Sequence, residues 1–254
     1  MAIAPLKLLL TLPAVIALAI GVSTVANSEP TATGPLVGKI IALDPGHNGH
    51  NGRHPERINK LVEAGGFKKA CDTTGTTTND AKLTESAFNW KVVRLLREDL
   101  EKQGATVVLT RKSDRGVGPC INRRAAIGNK AEANLAISLH GDGGPASGHG
   151  FHVIRPGLVK GYTEPIVKPS KELAIQLRDD LVAAGFSPST YLGNEGIDRR
   201  TDLGGLNLSK VPKVFIELGN MRNADDARSM QDAAWRHSVT AAIEQSIETY
   251  LSTH

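Results

Sequence analysis

Apolar runs of strand length alternate along the chain with longer segments in which apolar residues recur every three or four positions. Four of the runs predict buried strands, at residues 39–43, 105–109, 134–139 and 214–216. The clearest helical pattern runs from Phe88 to Leu100, and Thr84 before it is a suitable N-cap. Strands that alternate with helices predict an α/β fold, a three-layer α/β/α sandwich with a twisted, mostly parallel sheet.

The rest of the chain predicts one more strand, three helical regions and two long loops. The strand covers residues 151–155, and the helical regions cover about 119–131, 169–184 and 225–251. Residues 48–80 are rich in Gly, Asn, Thr and His, which predicts a long surface loop. Residues 186–210 are predicted to be irregular and to include a hairpin or a mobile loop. Loops of this length inside a compact domain are usually functional.

The amino-terminal segment has the features of a secretory signal. Within residues 1–26, Lys7 is the single charge, residues 8–20 are apolar, and residues 24–26 are small enough for a cleavage site. We therefore expect an exported protein with no stable membrane insertion after cleavage, and an uncleaved anchor is the alternative. Residues 27–37 predict a disordered leader, and residues 38–254 predict a single domain.

Composition and charge narrow the range of partners. Aromatic residues make up 4% of the chain, and no run of basic residues is present, so we expect no nucleic-acid partner. The net charge of +4 falls to +3 when Lys7 leaves with the signal peptide. This mildly basic balance is compatible with an acidic polymer but does not identify one.

The chain contains two cysteines, Cys71 and Cys120. In an exported protein an even pair predicts one intramolecular disulfide, and two buried free thiols are the alternative. A metal-binding pair is less favoured because no Cys-x-x-Cys spacing is present. On the chain-entropy argument, closing a loop of about 50 residues stabilises the fold by roughly 4 kcal/mol.

Three predicted strands end next to residues that can bind a metal or carry a proton. His47 follows the first strand after an Asp-Pro-Gly turn, His140 follows the third, and Glu217 follows the last. The carboxyl ends of parallel strands meet at one edge of a sheet, where ligands bind in open α/β folds. A catalytic zinc ion needs three protein ligands and one open position. The third could be Glu85, although an acid in the first turn of a helix also complements the helix dipole.

Other residues compete for these roles. Asp44 and Asp142 each lie close to a histidine and could bind the metal or orient that histidine instead. His50 and His54 could form a separate metal site with His47, although solvated loop histidines are the favoured interpretation of both. The sequence pattern leaves these alternatives open.

The ordered set of motifs resembles the zinc-dependent N-acetylmuramoyl-L-alanine amidases of the amidase-3 family. The resemblance extends from Lys39 to Leu251, and the long Cys-bearing loop is most similar to the small exported single-domain amidases of mycobacteria. Two departures are the residues 220–223 after Glu-Leu-Gly and the longer segment 48–84. The carrying segments are residues 41–47, Glu85 with Asn89, Thr110-Arg111, Arg124 with Gly128-Asn129, residues 137–142 and residues 214–219.

The resemblance implies an activity and a site. It implies one Zn²⁺ per chain on His47, Glu85 and His140, with Glu217 as the catalytic acid and base. The substrate would be peptidoglycan fragments or muropeptides, cut by hydrolysis between N-acetylmuramic acid and L-alanine during cell-wall turnover. It also implies a monomer in the periplasm or cell-wall space, with residues 38–254 as one catalytic amidase domain that lacks a wall-binding module.

Two other functions stay open at this point. A zinc peptidase on a related α/β fold would cut stem peptides rather than the sugar–peptide amide. An inactive peptidoglycan-binding protein would keep the fold but release no product. Arg111 and Arg124 either shape the cleft or form internal salt bridges, and the salt bridge is the favoured interpretation.

Overall fold

The computed structural model describes residues 33–254 together with Met1, Ala2 and Ala4. The predicted signal peptide and most of the predicted leader therefore lie outside the described residues. From Thr33 onward the chain belongs to one compact unit. None of the helices in this part of the chain combines the length and apolar character that crossing a membrane requires.

Eight strands and seven helices follow one another in the described residues. The strands are β1 (Ile40–Pro45), β2 (Leu61–Glu63), β3 (Lys68–Ala70), β4 (Thr106–Leu109), β5 (Leu135–Asp142), β6 (His152–Pro156), β7 (Ile197–Arg200) and β8 (Lys213–Asn220). The helices are α1 (Pro55–Ile58), α2 (Glu85–Lys102), α3 (Ile121–Lys130), α4 (Glu164–Ala183), α5 (Gly204–Asn207), α6 (Ala224–Gln231) and α7 (Ala233–Thr253).

Six strands form one sheet in the order β4-β1-β5-β8-β6-β7. All neighbours run parallel except β8 and β6, which are antiparallel, so the sheet is mixed but mostly parallel. Helices α2, α4 and α7 cover one face, and α3 and α5 cover the other. The predicted three-layer α/β/α fold is confirmed.

The two faces of the sheet differ in chemistry, and this difference positions the site. In β5, Leu135, Ile137 and Leu139 point into the main apolar core, as the period of two in a strand requires. The intervening Ser138 and His140 therefore lie on the opposite face. Among the described residues, that second face carries a small apolar cluster of Ala42, Ala133 and Ala136, and polar side chains lie beside it.

Helix α2 forms as its sequence predicts. Thr84 is the N-cap, and its hydroxyl accepts a hydrogen bond from the Ala87 backbone N–H at 3.4 Å. Phe88 and Leu96 on its apolar stripe are fully buried against the sheet. The helix ends before Gly104, whose φ of +90° lies in the left-handed region that favours glycine.

Four predicted boundaries or loops are wrong. Residues 48–80 are not a continuous irregular loop, because they contain a 3₁₀ turn, α1 and the antiparallel hairpin β2–β3. Residues 186–210 likewise contain β7 and α5. Helix α4 begins at Glu164 and includes Pro169, because buried Ile166 extends the apolar stripe and this packing compensates for the hydrogen bond that Pro169 cannot donate. Finally, the leader is ordered at its end, where Leu36 is 1% exposed and bonded to Gln103.

The predicted disulfide between Cys71 and Cys120 is confirmed. It joins the end of the β2–β3 hairpin to the N-cap of α3. Replacing both cysteines with serine is expected to lower the free energy of unfolding by about 4 kcal/mol, because the unfolded chain regains the entropy of an open loop. Urea titration of the parent and the double variant measures this difference, and equal midpoints would contradict it.

Candidate metal centre

His47 follows β1 through a tight turn at Gly46. Its own backbone adopts a φ of +58°, a left-handed conformation that few residues other than glycine adopt. Gly46 lies directly against the His140 ring, and a β-carbon at this position would overlap the ring atoms. The Pro-Gly turn therefore brings His47 and His140 together, with ring centroids 5.1 Å apart and ring planes perpendicular.

Glu85 lies between the two histidines at the first position of α2. Its Oε1 atom is 3.1 Å from His47 Nε2 and 2.9 Å from His140 Nδ1. Its Oε2 atom accepts a hydrogen bond from the Thr76 backbone N–H at 2.9 Å, which fixes the carboxylate plane. The three ligand atoms all lie within 4.8 Å of one another, so the three side chains could hold a single metal ion.

The remaining ring nitrogens are engaged elsewhere, as metal ligands require. His47 Nδ1 is 3.2 Å from Asp72 Oδ1 and 3.1 Å from the Thr73 carbonyl oxygen. His140 Nε2 is 3.1 Å from Ser138 Oγ. These contacts leave His47 Nε2 and His140 Nδ1 directed at Glu85. Two imidazoles and one carboxylate are a donor set that zinc accepts in catalytic sites, so the residues fit this ion.

Charge within the cluster favours an ionised Glu85. Burial alone would raise the pKa of Glu85, but His47 and His140 outweigh it and hold this pKa well below its usual range. Burial lowers the pKa of His47, but Glu85 and Asp72 together have the larger, opposite effect and raise this pKa to about 10. The carboxylate is therefore available as an anionic ligand at neutral pH.

Glu217 lies on β8 directly opposite His140 on β5, on the same polar face of the sheet. Its Oε2 atom is buried and accepts no hydrogen bond from any part of the chain that the structure describes. Burial and the nearby carboxylates of Glu85 and Asp142 raise the pKa of Glu217 well above its usual range. A carboxyl group with a raised pKa beside a reacting centre is suited to general acid and base catalysis.

The cluster opens into a cavity of about 450 Å³. The β2–β3 hairpin contributes Lys69 to one wall, and β7 with α5 contributes Arg200 and Gly204. Phe215 forms part of the floor, and its ring stacks on that of His140 at 5.2 Å. The two segments that were predicted to be irregular therefore supply walls of the cleft.

The structure separates the competing candidates. Asp44 lies on the polar face beneath the cluster and bonds to Ser138 rather than to a possible metal position. Asp142 accepts a hydrogen bond from the Tyr191 hydroxyl at 2.9 Å. His50 and His54 are not part of the cluster.

Both predicted strand ends are also shifted, because β5 and β8 continue past His140 and Glu217, which lie within the sheet.

Arg111 and Arg124 form internal contacts, as the favoured interpretation held. Arg124 pairs with Asp44 and with Asp72, and Arg111 pairs with Asp114. Asp72 and Ser138 were not predicted from the sequence. Their side chains, together with Thr73, contact the histidine nitrogens that point away from Glu85. Ser138 could have been found, because it precedes His140 by two residues in a strand and so shares its face. Asp72 carries no such signal.

A cleft of this kind can perform hydrolysis assisted by a metal ion, because it presents an open donor set and a carboxyl group poised to exchange protons. The family match is specific. The chain belongs to the amidase-3 family of N-acetylmuramoyl-L-alanine amidases, whose family model matches residues 41–249. The protein is an enzyme that hydrolyses peptidoglycan at the bond between N-acetylmuramic acid and L-alanine.

Relatives agree with this assignment over most of the chain. An N-acetylmuramoyl-L-alanine amidase of Mycobacterium tuberculosis is 36% identical over 235 residues, which cover 90% of this chain and 93% of the relative. The apo crystal structure of the amidase Ami1 from Mycobacterium abscessus is 42% identical, with a TM-score of 0.80 over 85% of this chain and 100% of that one. Ami1 from Mycobacterium smegmatis is 36% identical, with a TM-score of 0.81 over 86% and 99%.

Proposed function

We propose that this amidase depends on one zinc ion held by His47, Glu85 and His140, and that Glu217 is its catalytic acid and base. The observation that carries the proposal is the convergence of three ligand atoms within 4.8 Å of one another beside a buried carboxyl group without a hydrogen-bond partner among the described residues. When bound, zinc lowers the pKa of water and polarises a carbonyl group.

The proton transfers fall to Glu217. Its carboxylate takes a proton from the attacking water as the water oxygen bonds to the lactoyl carbonyl carbon of N-acetylmuramic acid. When the carbon–nitrogen bond breaks, the protonated Glu217 returns that proton to the nitrogen of L-alanine, which leaves as an amine. The same group therefore acts first as base and then as acid, and its pKa, which burial raises, suits both steps.

The cellular setting is part of the proposal. We assign residues 1–26 to a signal peptide and residues 38–254 to a single catalytic domain that acts as a monomer outside the cytoplasmic membrane, in the periplasm or cell-wall space. The position of Lys7 before an apolar run and the disulfide between Cys71 and Cys120 both support export. An open cleft of about 450 Å³ beside the cluster suits muropeptides and other peptidoglycan fragments.

Product analysis of a defined muropeptide tests the reaction and its metal dependence together. With zinc present, mass spectrometry is expected to find the intact stem peptide that begins with L-alanine and the sugar that carries a free lactoyl carboxylate. Adding a chelator is expected to abolish both products, and zinc is expected to restore them. Shorter stem peptides would indicate a peptidase, and binding without any product would indicate an inactive wall-binding protein.

Gly46→Ala is expected to weaken zinc binding without removing a ligand. An added β-carbon overlaps the His140 ring, so the ring must rotate or shift away from Glu85. We expect the zinc dissociation constant to rise by about 10-fold or more, the scale of effect seen when ligand orientation is lost. Competition with a chromophoric chelator measures this change, and Gly52→Ala, where a β-carbon meets only Thr74 at 3.6 Å, is the matched control.

A further inference from the structure

Arg124 is a buried guanidinium, and four of its five hydrogen bonds end at the β1–His47 segment or at Asp72. The side chain belongs to α3 and is 4% exposed. All five of its N–H groups are donated, at 2.8–2.9 Å, to the Pro119, Pro45 and His47 carbonyl oxygens, Asp44 Oδ1 and Asp72 Oδ2. No donor is left for a substrate, so Arg124 acts through the residues that it contacts.

The first route leads to His47. Arg124 Nη2 donates to Asp72 Oδ2, and the other oxygen of the same carboxylate lies 3.2 Å from His47 Nδ1. The same Nη2 atom donates to the His47 carbonyl oxygen at 2.9 Å, which supports the left-handed backbone at this residue. Arg124 therefore holds both the ring and the backbone of His47.

The second route leads to His140 and is longer. Arg124 Nη1 donates to Asp44 Oδ1 at 2.8 Å, and Asp44 Oδ2 accepts the Ser138 hydroxyl at 2.9 Å. Ser138 Oγ is in turn 3.1 Å from His140 Nε2. Thr110 donates to Asp44 Oδ1 as well, and Lys213 Nζ lies 3.4 Å from Asp44 Oδ2, so Arg124 shares the task of holding this carboxylate with two other side chains.

The direction of both routes is determined by chemistry, because a guanidinium can only donate and a carboxylate can only accept. Asp72 Oδ1 and the Thr73 carbonyl oxygen both lie next to His47 Nδ1 and can only accept, so the Nδ1 proton is directed at them and Nε2 is left free to bind a metal. The Ser138 hydroxyl donates to Asp44, so its oxygen accepts the proton of His140 Nε2 and leaves Nδ1 free. The two histidines need opposite tautomers, and one arginine is linked to both.

We infer that Arg124 is a positioning residue that fixes the ring orientation and the tautomer of both histidine ligands, through Asp72 on one side and through Asp44 and Ser138 on the other. The inference rests on the zinc site proposed above. It assigns to α3, which contributes no ligand, the task of organising the metal centre.

Zinc affinity of the full chain tests the inference, measured by competition with a chromophoric chelator. Arg124→Gln is expected to weaken zinc binding by about 10- to 100-fold. Asp72→Asn and Ser138→Ala, which each interrupt one route, are expected to weaken it less. Because Ser138 lies on one of the routes, Arg124→Gln combined with Ser138→Ala is expected to lose less than the product of the two single losses. Losses that multiply independently would contradict a shared route.

Arg111→Gln is the matched control. Arg111 is also 4% exposed, but its donors end at the carbonyl oxygens of Pro45, Gly46, Ser86 and Ser113 and at Asp114, none of which contacts a histidine nitrogen. Because these contacts support the Pro45-Gly46 turn but no histidine nitrogen, we expect this variant to lose stability and some zinc affinity while both histidines keep their tautomers. If Arg124 had a purely structural role, Arg124→Gln and Arg111→Gln would change stability and zinc affinity in the same proportion.

Proton NMR of the zinc-bound protein supplies a readout that stability does not move. In the parent, the His47 Nδ1–H and His140 Nε2–H protons are expected to be protected from solvent exchange. Asp72→Asn is expected to reduce protection at His47 alone, because the Thr73 carbonyl oxygen remains as an acceptor. Ser138→Ala is expected to remove protection at His140 alone, and Arg124→Gln is expected to reduce it at both. If Arg124→Gln does not fold, Ser138→Ala still tests whether the route through Asp44 and Ser138 holds the ring proton of His140. Parental zinc affinity and two protected ring protons in Arg124→Gln would overturn the inference, whereas a parent that binds no zinc would overturn the proposed function instead.

Discussion

Glu217→Gln is expected to abolish most of the hydrolysis of a muropeptide while zinc remains bound. The amide keeps the shape and volume of the side chain but cannot take a proton from water or return one to the leaving amine. General acid and base catalysis contributes about 10²- to 10⁴-fold to a rate, so we expect kcat to fall by that factor. Stopped reactions analysed by mass spectrometry measure the rate, and metal analysis of the same sample measures the zinc.

The same substitution is expected to leave the metal-free fold at least as stable as the parent. Burial raises the pKa of Glu217, which means that ionising this side chain in the folded protein costs free energy. That cost is absent below the ordinary pKa of a glutamate and develops as the pH rises through the raised value. The stability of Glu217→Gln relative to the parent should therefore increase over this range, which thermal unfolding at a series of pH values measures.

Glu101→Gln makes the same chemical change on the exposed face of α2, where Glu101 pairs with Arg97, and it is the control. It should change neither the rate nor the pH dependence of stability by much, because exposed ion pairs contribute about 0–1 kcal/mol. A Glu217→Gln enzyme that hydrolyses muropeptides at the parental rate would remove Glu217 from its proposed role.

Local patterns of apolar residues were sufficient to predict the helices and strands that pack through a regular apolar face. Helix α2 was predicted from Thr84 and the apolar stripe that begins at Phe88, and strand β1 from its apolar run before Pro45. These signals depend on residues close together in sequence. The hairpin β2–β3 was missed for the opposite reason, since Leu61 is exposed and the two short strands present no buried alternation.

The site was predictable in part, because parallel strands bring His47, His140 and Glu217 to one region whatever their exact register. Glu85 could not be distinguished by pattern from an acid that complements a helix dipole, and only the family resemblance singled it out. Asp72 could not be found at all, because its approach to His47 depends on how a long segment folds back. No periodic pattern in the sequence predicts that this segment folds back and places Asp72 beside His47.

Glu85→Gln is expected to weaken zinc binding by more than about 100-fold, because it removes the one anionic ligand rather than a group that orients a ligand. Saturating zinc is then expected to raise the thermal midpoint of the parent strongly and that of the variant little, since a ligand stabilises the folded state in proportion to the logarithm of its concentration over its dissociation constant. Equal zinc-induced shifts in parent and variant would exclude Glu85 as a ligand.

Without metal, the same substitution tests the electrostatics of the cluster, and the sign can be worked out. Burial lowers the pKa of His47, but Glu85 and Asp72 raise it to about 10, so removal of Glu85 should lower it clearly, as NMR titration of the metal-free protein would detect. The stability that Glu85 contributes is present above its ordinary pKa, about 4.5, because its folded pKa is depressed. The stability from His47 is complete below about 6.5 and is lost as the pH rises towards 10. Metal-free Glu85→Gln should therefore be least stable relative to the parent between about pH 4.5 and 6.5, and zinc should widen the difference at neutral pH.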